Sequence, residues 1–348
     1  MIANLLAGNF SRIRLYHVRM AFSADMESVG KFALGKVWKL FTTILSIWVA
    51  RARYGTTVLY YPPSGPNKVP VARDLVLLCA TRWMFRKVVF HFHAGGVSEF
   101  APQLPGVLRP FFRYAYGRPA LAIRTAAENP PDGSNLGALR DVVIPNGIED
   151  ARTLVPRSTA AVGEPLVILF AGVLVESKGV RVLLEAFEQV LAHGVEAQLR
   201  IMGKWNDEDL RAWALEATGR PPLKGRVEFL GVLRDREKYE QFAGCDIFCF
   251  PSFFEAESFG LVLAEAMQFA KPLVSTRWRG IPSVVADGLN GFLVPVKDAT
   301  AVADKLVQLA NDPELRYRMG REGERIFSQR FTLEAFHRSM EEELAKLV

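Results

Sequence analysis

Two glutamates, Glu257 and Glu265, are separated by the seven residues SFGLVLA. They lie in the run FFEAESFGLVLAEAMQFAKP, from Phe253 to Pro272. Upstream, Asp246 to Phe250 is a short apolar run closed by Pro251 and Ser252, which reads as a buried strand. Downstream, Leu261 to Phe269 has helix-forming composition without Gly or Pro. The order strand, polar loop, helix puts Glu257 in the loop and Glu265 about two turns into the helix. At the carboxyl edge of an open α/β sheet, such a junction is where ligands bind. The amides of Ser258, Phe259, Gly260 and Leu261, at the helix start, suit a phosphate. A carboxylate further down the helix accepts hydrogen bonds from a hydroxyl pair such as a ribose diol. Glu257, at the mouth, does the same for a second sugar. An anion site between two hydroxyl-binding acids is a cradle for a nucleotide sugar, although any strand-loop-helix unit can carry two glutamates by chance.

A candidate cation for the same phosphate comes earlier. Pro165 to Ala171 is an unbroken apolar run suited to a buried parallel strand. It leads to Gly172, a loop, Lys178-Gly179 and the helix Val180–Ala192. A lysine near a helix start can clamp a diphosphate; the bland alternative is a solvated surface lysine. Leu199–Met202 followed by Gly203, and Val227–Leu230 followed by Gly231, repeat the strand and glycine turn. In the first half, Lys87–Phe92 reads as a strand running into His93-Ala94-Gly95-Gly96. His93 then falls at a strand's carboxyl end, and His91, two residues earlier, faces the same side. A lone histidine is more often structural, so both readings stand.

PSFFEAESFGLVLAEAM, then KPLVST, then GIPSVVADGLNGFLV resembles the carboxyl-terminal signature of the family 4 retaining glycosyltransferases of the GT-B fold. The run from Gly30-Lys31-Phe32 through Arg73-Asp74 to HFHAGG resembles the acceptor domain of bacterial exopolysaccharide glycosyltransferases. VVIPNGIE, Val142–Glu149, resembles the family's link between domains. The resemblance implies an α/β chain of two Rossmann-like domains facing across a cleft. Residues 1–150 would bind the acceptor and 151–330 the nucleotide-sugar donor, with a terminal helix in 331–348 packing back toward the first domain.

The resemblance also implies roles. Glu257 contacts the donor sugar, the Ser258–Leu261 amides hold the diphosphate, and Glu265 binds the ribose. Gly172, Lys178 and Gly203 complete the donor side, with Lys204 and Val232 as weaker base contacts. His93 contacts the transferred sugar and, with Glu257 and Lys178, forms the catalytic set; His91, Gly95, Gly96 and Asn146 lie on the acceptor side. The expected reaction is transfer of a sugar from a nucleotide-sugar donor to an acceptor hydroxyl with retention, in surface or exopolysaccharide assembly. No cofactor is expected; the fold needs no Asp-x-Asp metal motif, and none is expected in the chain. Two departures stand out. Val173 occupies the place of a family arginine, and nothing before Ile13 supplies the strand and glycine-rich loop that open the family's first domain. They motivate the alternative of a catalytically weak nucleotide-sugar-binding or assembly subunit, truncated or degenerate. A sugar epimerase or phosphorylase fits less well.

Stable placement of these residues needs two cores, and the composition supplies them: 348 residues, 50% hydrophobic. Three cysteines make no disulfide framework and no metal spacing, which points to a reducing cytosol. No signal peptide is evident. The net charge of +6 is uneven: residues 1–150 hold 18 Lys and Arg against 9 Asp and Glu, a net +9, which leaves −3 for the rest. A basic first half expects an acidic partner, such as an anionic lipid or a lipid-linked acceptor. No nucleic-acid motif is present. Val29–Arg53 carries apolar residues at helical spacing bracketed by basic ones. It reads either as a core-facing helix or as a peripheral membrane face at the cytoplasmic surface. Further elements are expected as strands over Ile13–Met20 and Val58–Tyr61, a loop over Asn129–Asn135, and helices over Asp74–Met84, from Gly280 to about Asp287, and over Thr332–Val348.

Overall fold

The computed structural model describes residues 2–20, 34–155 and 165–348. The chain divides into two compact units, Met1–Pro145 with Phe336–Val348, and Asn146–Ala335.

The first unit holds a parallel sheet in the order β1-β2-β3-β4, with β1 at Val58–Tyr61, β2 at Lys87–Phe92, β3 at Leu121–Arg124 and β4 at Asp141–Val143. Its helices are α1 (Ile2–Leu6), α2 (Leu34–Tyr54), α3 (Lys68–Thr81), α4 (Val97–Phe100), α5 (Arg109–Tyr116) and α6 (Asp132–Asn135). β2 is buried along all but its first residue, as a parallel strand covered on both faces must be. One core gathers Leu75, Leu78, Phe90, Phe92 and Tyr116; a second joins Val89, Leu121 and Ile123 to Phe336, Met340 and Leu344 of the last helix.

The second unit holds a six-stranded sheet, all parallel, in the order β10-β9-β8-β5-β6-β7. The strands are β5 (Leu166–Ala171), β6 (Ala197–Met202), β7 (Val227–Gly231), β8 (Ile247–Phe250), β9 (Leu273–Thr276) and β10 (Gly291–Val294). α7 (Val180–Ala192), α8 (Glu208–Thr218), α9 (Asp235–Gly244), α10 (Leu261–Met267), α11 (Ala299–Asn311) and α12 (Pro313–Arg330) belong to the same unit. α13 (Leu333–Ala345) starts in it and ends in the first. The chain leaves β5 toward β6 and β7, then returns to the other side of β5 to lay down β8, β9 and β10. The switch point is therefore between β5 and β8, where the loops after both strands diverge.

Several expectations differ from the structure. Ile13–Met20 forms no strand: its alternation buries Ile13, but the Ser11 and Arg12 amides donate to Glu341 Oε1, both at 2.6 Å, rather than to a ladder. The helix expected from Asp74 begins at Lys68, with Pro70 in its first turn, where a missing amide costs nothing. The helix expected at Val29 is seen from Leu34; Val29 and the Gly30-Lys31-Phe32 motif lie outside the described residues. A helical turn, α6, interrupts the expected Asn129–Asn135 loop. After Gly280 there is only a 3-10 turn, Ile281–Ser283, because Asn290 captures the following backbone. Its Oδ1 accepts from Ala286 N at 2.8 Å and its Nδ2 donates to Val284 O at 3.0 Å. The final helix spans Leu333–Ala345 rather than the whole of Thr332–Val348.

Candidate active site

The loops after β5 and β8 are joined residue by residue at the switch point. Phe253 N donates to Ser177 O at 2.8 Å. Gly179 ends the β5 loop with φ +82, and a Cβ there would stand 2.2 Å from Pro251 O. Glycine is required on both counts. The turn after β6 has the same demand: a Cβ on Gly203 would meet Gly172 O at 1.7 Å. Gly172 N donates to Met202 O at 3.0 Å and Gly203 N to Gly231 O at 2.8 Å, so the three glycine turns form one continuous rim.

On this rim Lys178 Nζ lies 2.6 Å from Glu257 Oε2, and Ser252 Oγ donates to the same oxygen at 3.0 Å. Glu257 is buried, and its main chain is fixed by Glu257 N to Phe254 O at 3.0 Å and Gly280 N to Glu257 O at 3.1 Å. The Lys178 ammonium also faces the Phe254 ring at 4.4 Å from its centroid. Sequence reasoning put Glu257 in an open loop mouth and gave Lys178 to a phosphate. The structure pairs the two, and each neutralises the other in a setting where an unpaired charge would be costly.

The second glutamate is arranged in the same way. α10 begins at Leu261 as expected and ends at Met267, and Glu265, four residues from its start, is about one turn in rather than two. Lys238 Nζ, from α9, lies 2.6 Å from Glu265 Oε1. Glu265 Oε2 is buried without a hydrogen-bond partner. Burial raises the Glu265 carboxyl above the usual range, and Lys238 offsets this only in part. An acceptor oxygen left idle in a buried place costs free energy unless a ligand donor satisfies it. Lys238 was missed because no local spacing ties it to a residue 27 positions away.

Between them, Gly260 caps α10 in the left-handed region at φ +74. Phe259, expected on the donor side, turns its ring inward. It is 1% exposed and meets Phe331 edge-on at 5.3 Å between centroids. Only its backbone remains for a ligand. Lys204 and Val232 are exposed beyond the β6 and β7 turns, and Trp205 packs on Phe229 there at 5.3 Å between centroids. Contrary to the expectation that the chain holds no Asp-x-Asp motif, Asp207-Glu208-Asp209 has that spacing. It is a helix start: Asp207 Oδ1 caps α8 by accepting from Leu210 N at 3.0 Å. Among the described residues no group of three or more His, Cys, Asp or Glu could hold a metal ion.

In the first unit, His91 and His93 lie at the carboxyl end of β2 with ring centroids 4.0 Å apart. Tyr60 Oη is 2.5 Å from His91 Nδ1. Both His93 ring nitrogens and His91 Nε2 are buried without partners. Burial depresses His93 to about 4 and, with the neighbouring His93 ring, pushes His91 well below its usual value, so both are neutral near pH 7. The Gly95-Gly96 turn has a local cause. A Cβ on Gly95 would meet Pro130 Cδ at 2.6 Å, and Gly96 takes φ +99. Buried Asp132 fastens the turn, accepting from Gly96 N and Ser98 N, each at 2.7 Å. Asp132 was not anticipated. Asn146, placed on the acceptor side, opens the second unit, buried with its Oδ1 unpartnered.

Residues 152–326, covering the rim, both glutamates and both lysines, match the family described as glycosyl transferases group 1. The chain belongs to that family. It is 36% identical over 218 residues to phosphatidyl-myo-inositol mannosyltransferase of Mycobacterium leprae, covering 61% of this chain and 54% of that protein. It is 37% identical over 153 residues to N-acetyl-alpha-D-glucosaminyl L-malate synthase of Bacillus anthracis, covering 44% and 38%. The chain spans about half the length of the curated relatives it matches. Anabaena HepE, solved with UDP and glucose, superposes with a TM-score of 0.67 at 21% identity, over 90% of this chain and 83% of that one. Sucrose-phosphate synthase of Thermosynechococcus elongatus superposes with a TM-score of 0.68 at 20% identity, over 94% and 82%. The fold of this group 1 glycosyltransferase chain is GT-B.

Proposed function

We propose that the chain transfers a sugar from a nucleotide-sugar donor to an acceptor hydroxyl with retention of anomeric configuration. The observation that supports this best is the Lys178–Glu257 pair, 2.6 Å apart at the switch point of the second sheet. On donor entry the Lys178 ammonium exchanges Glu257 for the diphosphate, and Glu257, released, accepts hydrogen bonds from the sugar hydroxyls. The Ser258–Leu261 turn takes the remaining phosphate oxygens. Glu265 Oε2, buried and unpartnered, receives the ribose hydroxyls. Gly172 and Gly203 let the donor lie against main chain.

The bond from the anomeric carbon to the diphosphate oxygen breaks, and the acceptor oxygen bonds to the same face of the sugar. The acceptor proton goes to the departing diphosphate. Lys178 stabilises the charge that develops there, an interaction stronger at the transition state than before it. Neutral His93 donates or accepts a hydrogen bond at the transferred sugar, with His91 and the Gly95-Gly96 turn behind it. The reading requires no resident cofactor and no metal.

HepE was solved with UDP and glucose, so a uridine nucleotide is the first donor to try. A lipid-linked or saccharide acceptor, on the cytoplasmic side of a membrane, accords with the basic first 150 residues and with the phosphatidyl-inositol acceptor in the name of one relative. A second reading, a nucleotide-sugar-binding subunit with weak catalysis, is favoured by Val173 in place of a family arginine. Turnover separates the two. Release of nucleoside diphosphate in step with an NMR-observed glycoside of unchanged anomeric configuration supports the first. Donor binding without turnover supports the second.

A further inference from the structure

α2 divides into three faces. At about 100° per residue, Val37, Trp38, Phe41, Leu45, Trp48 and Val49 fall within an arc of about 120°. All six are exposed, Trp38 at 68% and Phe41 at 59%. A second arc, with Thr43 and Ile47, is buried, and Leu40 and Ile44 pack beside it on the core of the first unit. Lys39, Thr42, Ser46 and Arg53 fall on the third arc. The helix thus satisfies its packing with one apolar face and still turns a second one outward. An exposed apolar surface of this kind on a helix marks a docking site.

The charge around it selects the partner. α2 carries no acidic residue. Residues 34–118 hold 12 Lys and Arg against Asp74 and Glu99 alone. Asp74 is fully buried, bonded by Tyr61 at 2.8 Å, Ser64 at 2.8 Å and Arg73 at 2.7 Å. Glu99 is then the one exposed acid of this stretch. The patch extends to Trp83, 65% exposed and 6.5 Å from the Trp48 ring. Both indoles donate their N–H to Ala80 O, at 3.0 and 2.9 Å, which leaves their ring faces available. No helix among the described residues is long and apolar enough to cross a membrane.

We propose that this face of α2, with Trp83, docks on the surface of an anionic lipid bilayer, lying in the interface rather than spanning it. Aromatic and aliphatic side chains enter the headgroup boundary, and Lys39 and Arg53 beside them meet lipid phosphates. The surface belongs to the unit that lacks the Lys178–Glu257 pair, so its test is independent of donor binding.

The test is flotation of the full chain with vesicles of phosphatidylcholine alone and of phosphatidylcholine mixed with phosphatidylglycerol, at low and high salt. The expected result is binding to the anionic vesicles only, weakened by salt. Trp38→Glu with Phe41→Glu should lower the vesicle partition coefficient by at least about tenfold, while Leu139→Glu, at another exposed apolar position, should leave it unchanged. Should the double variant unfold, Lys39→Glu with Arg53→Glu reads the same surface through charge and is expected to weaken binding by about tenfold. No flotation at low salt, or equal loss in the Leu139→Glu control, overturns the proposal. So does a concentration-dependent dimer, without vesicle affinity, that the double variant abolishes; that face would then join two copies.

Discussion

Lys178 and Glu257, 79 residues apart in the chain, meet at 2.6 Å across the loops after β5 and β8. The pair is 17% and 9% exposed at its side chains, so neither charge is well served by water. Removing one partner leaves the other stranded, whereas removing both does not. A double-mutant cycle of Lys178→Met and Glu257→Gln should show a coupling of about 1–3 kcal/mol in urea unfolding. Additive losses would mean that the pair is a surface contact without consequence. For the donor, Lys178→Met should weaken nucleoside diphosphate binding by about 2–4 kcal/mol, read by calorimetry.

Glu265 makes donor binding pH-dependent. Its carboxyl is raised, mainly by burial. A ribose diol donates hydrogen bonds, so it prefers the carboxylate. Affinity should therefore fall as pH drops through the raised value, over a window above the ordinary carboxyl range. The same shift acts on folding with the opposite sense. A raised folded pKa means the native state binds the proton more tightly, so this contribution is present at low pH and is lost as pH rises through that window. Glu265→Gln should flatten both dependences. Titrations of affinity and of the unfolding midpoint between pH 4 and 7 check this.

The rim tolerates no Cβ where its loops touch. Gly179→Ala introduces both a left-handed φ and an overlap with Pro251 O, and should cost about 2–4 kcal/mol. Gly194, at φ +78 with nothing within 4 Å, should lose only about 1–2 kcal/mol on the same change. Equal losses would mean that the loops after β5 and β8 are not held together.

His93 should matter for turnover and not for donor affinity. Depressed to about 4, it contributes no protonation step near pH 6.5, so the activity profile should be flat there. His93→Ala should lower kcat by about 10²–10³-fold with the donor Kd unchanged, which combined kinetics and calorimetry resolve. An activity limb near pH 6.5, lost in the variant, would contradict the burial argument.

Much of this was legible in the sequence because local patterns carried it. Unbroken apolar runs such as Leu166–Ala171 announce parallel strands, and the glycines after them announce turns. The signature around Glu257 and Glu265 located both acids on one loop and one helix. What the sequence hid depends on long-range geometry. The partnering of Glu265 with Lys238, and of the Gly96 turn with Asp132, comes from topology, not spacing. Nothing local showed that the Phe259 ring, unlike its backbone, is buried against Phe331, 72 residues further on. Ile13–Met20 alternates like a strand, yet it joins no sheet, and the Ser11 and Arg12 amides just before it go to the Glu341 carboxylate.

The most direct test of the account is calorimetric binding of UDP-, GDP- and ADP-sugars to the purified chain, with Glu265→Ala alongside. Selective binding of one nucleotide class is expected, with its loss by at least about tenfold in the variant. Binding that survives Glu265→Ala unchanged, or no binding to any of the three, would contradict the placement of the donor at this rim.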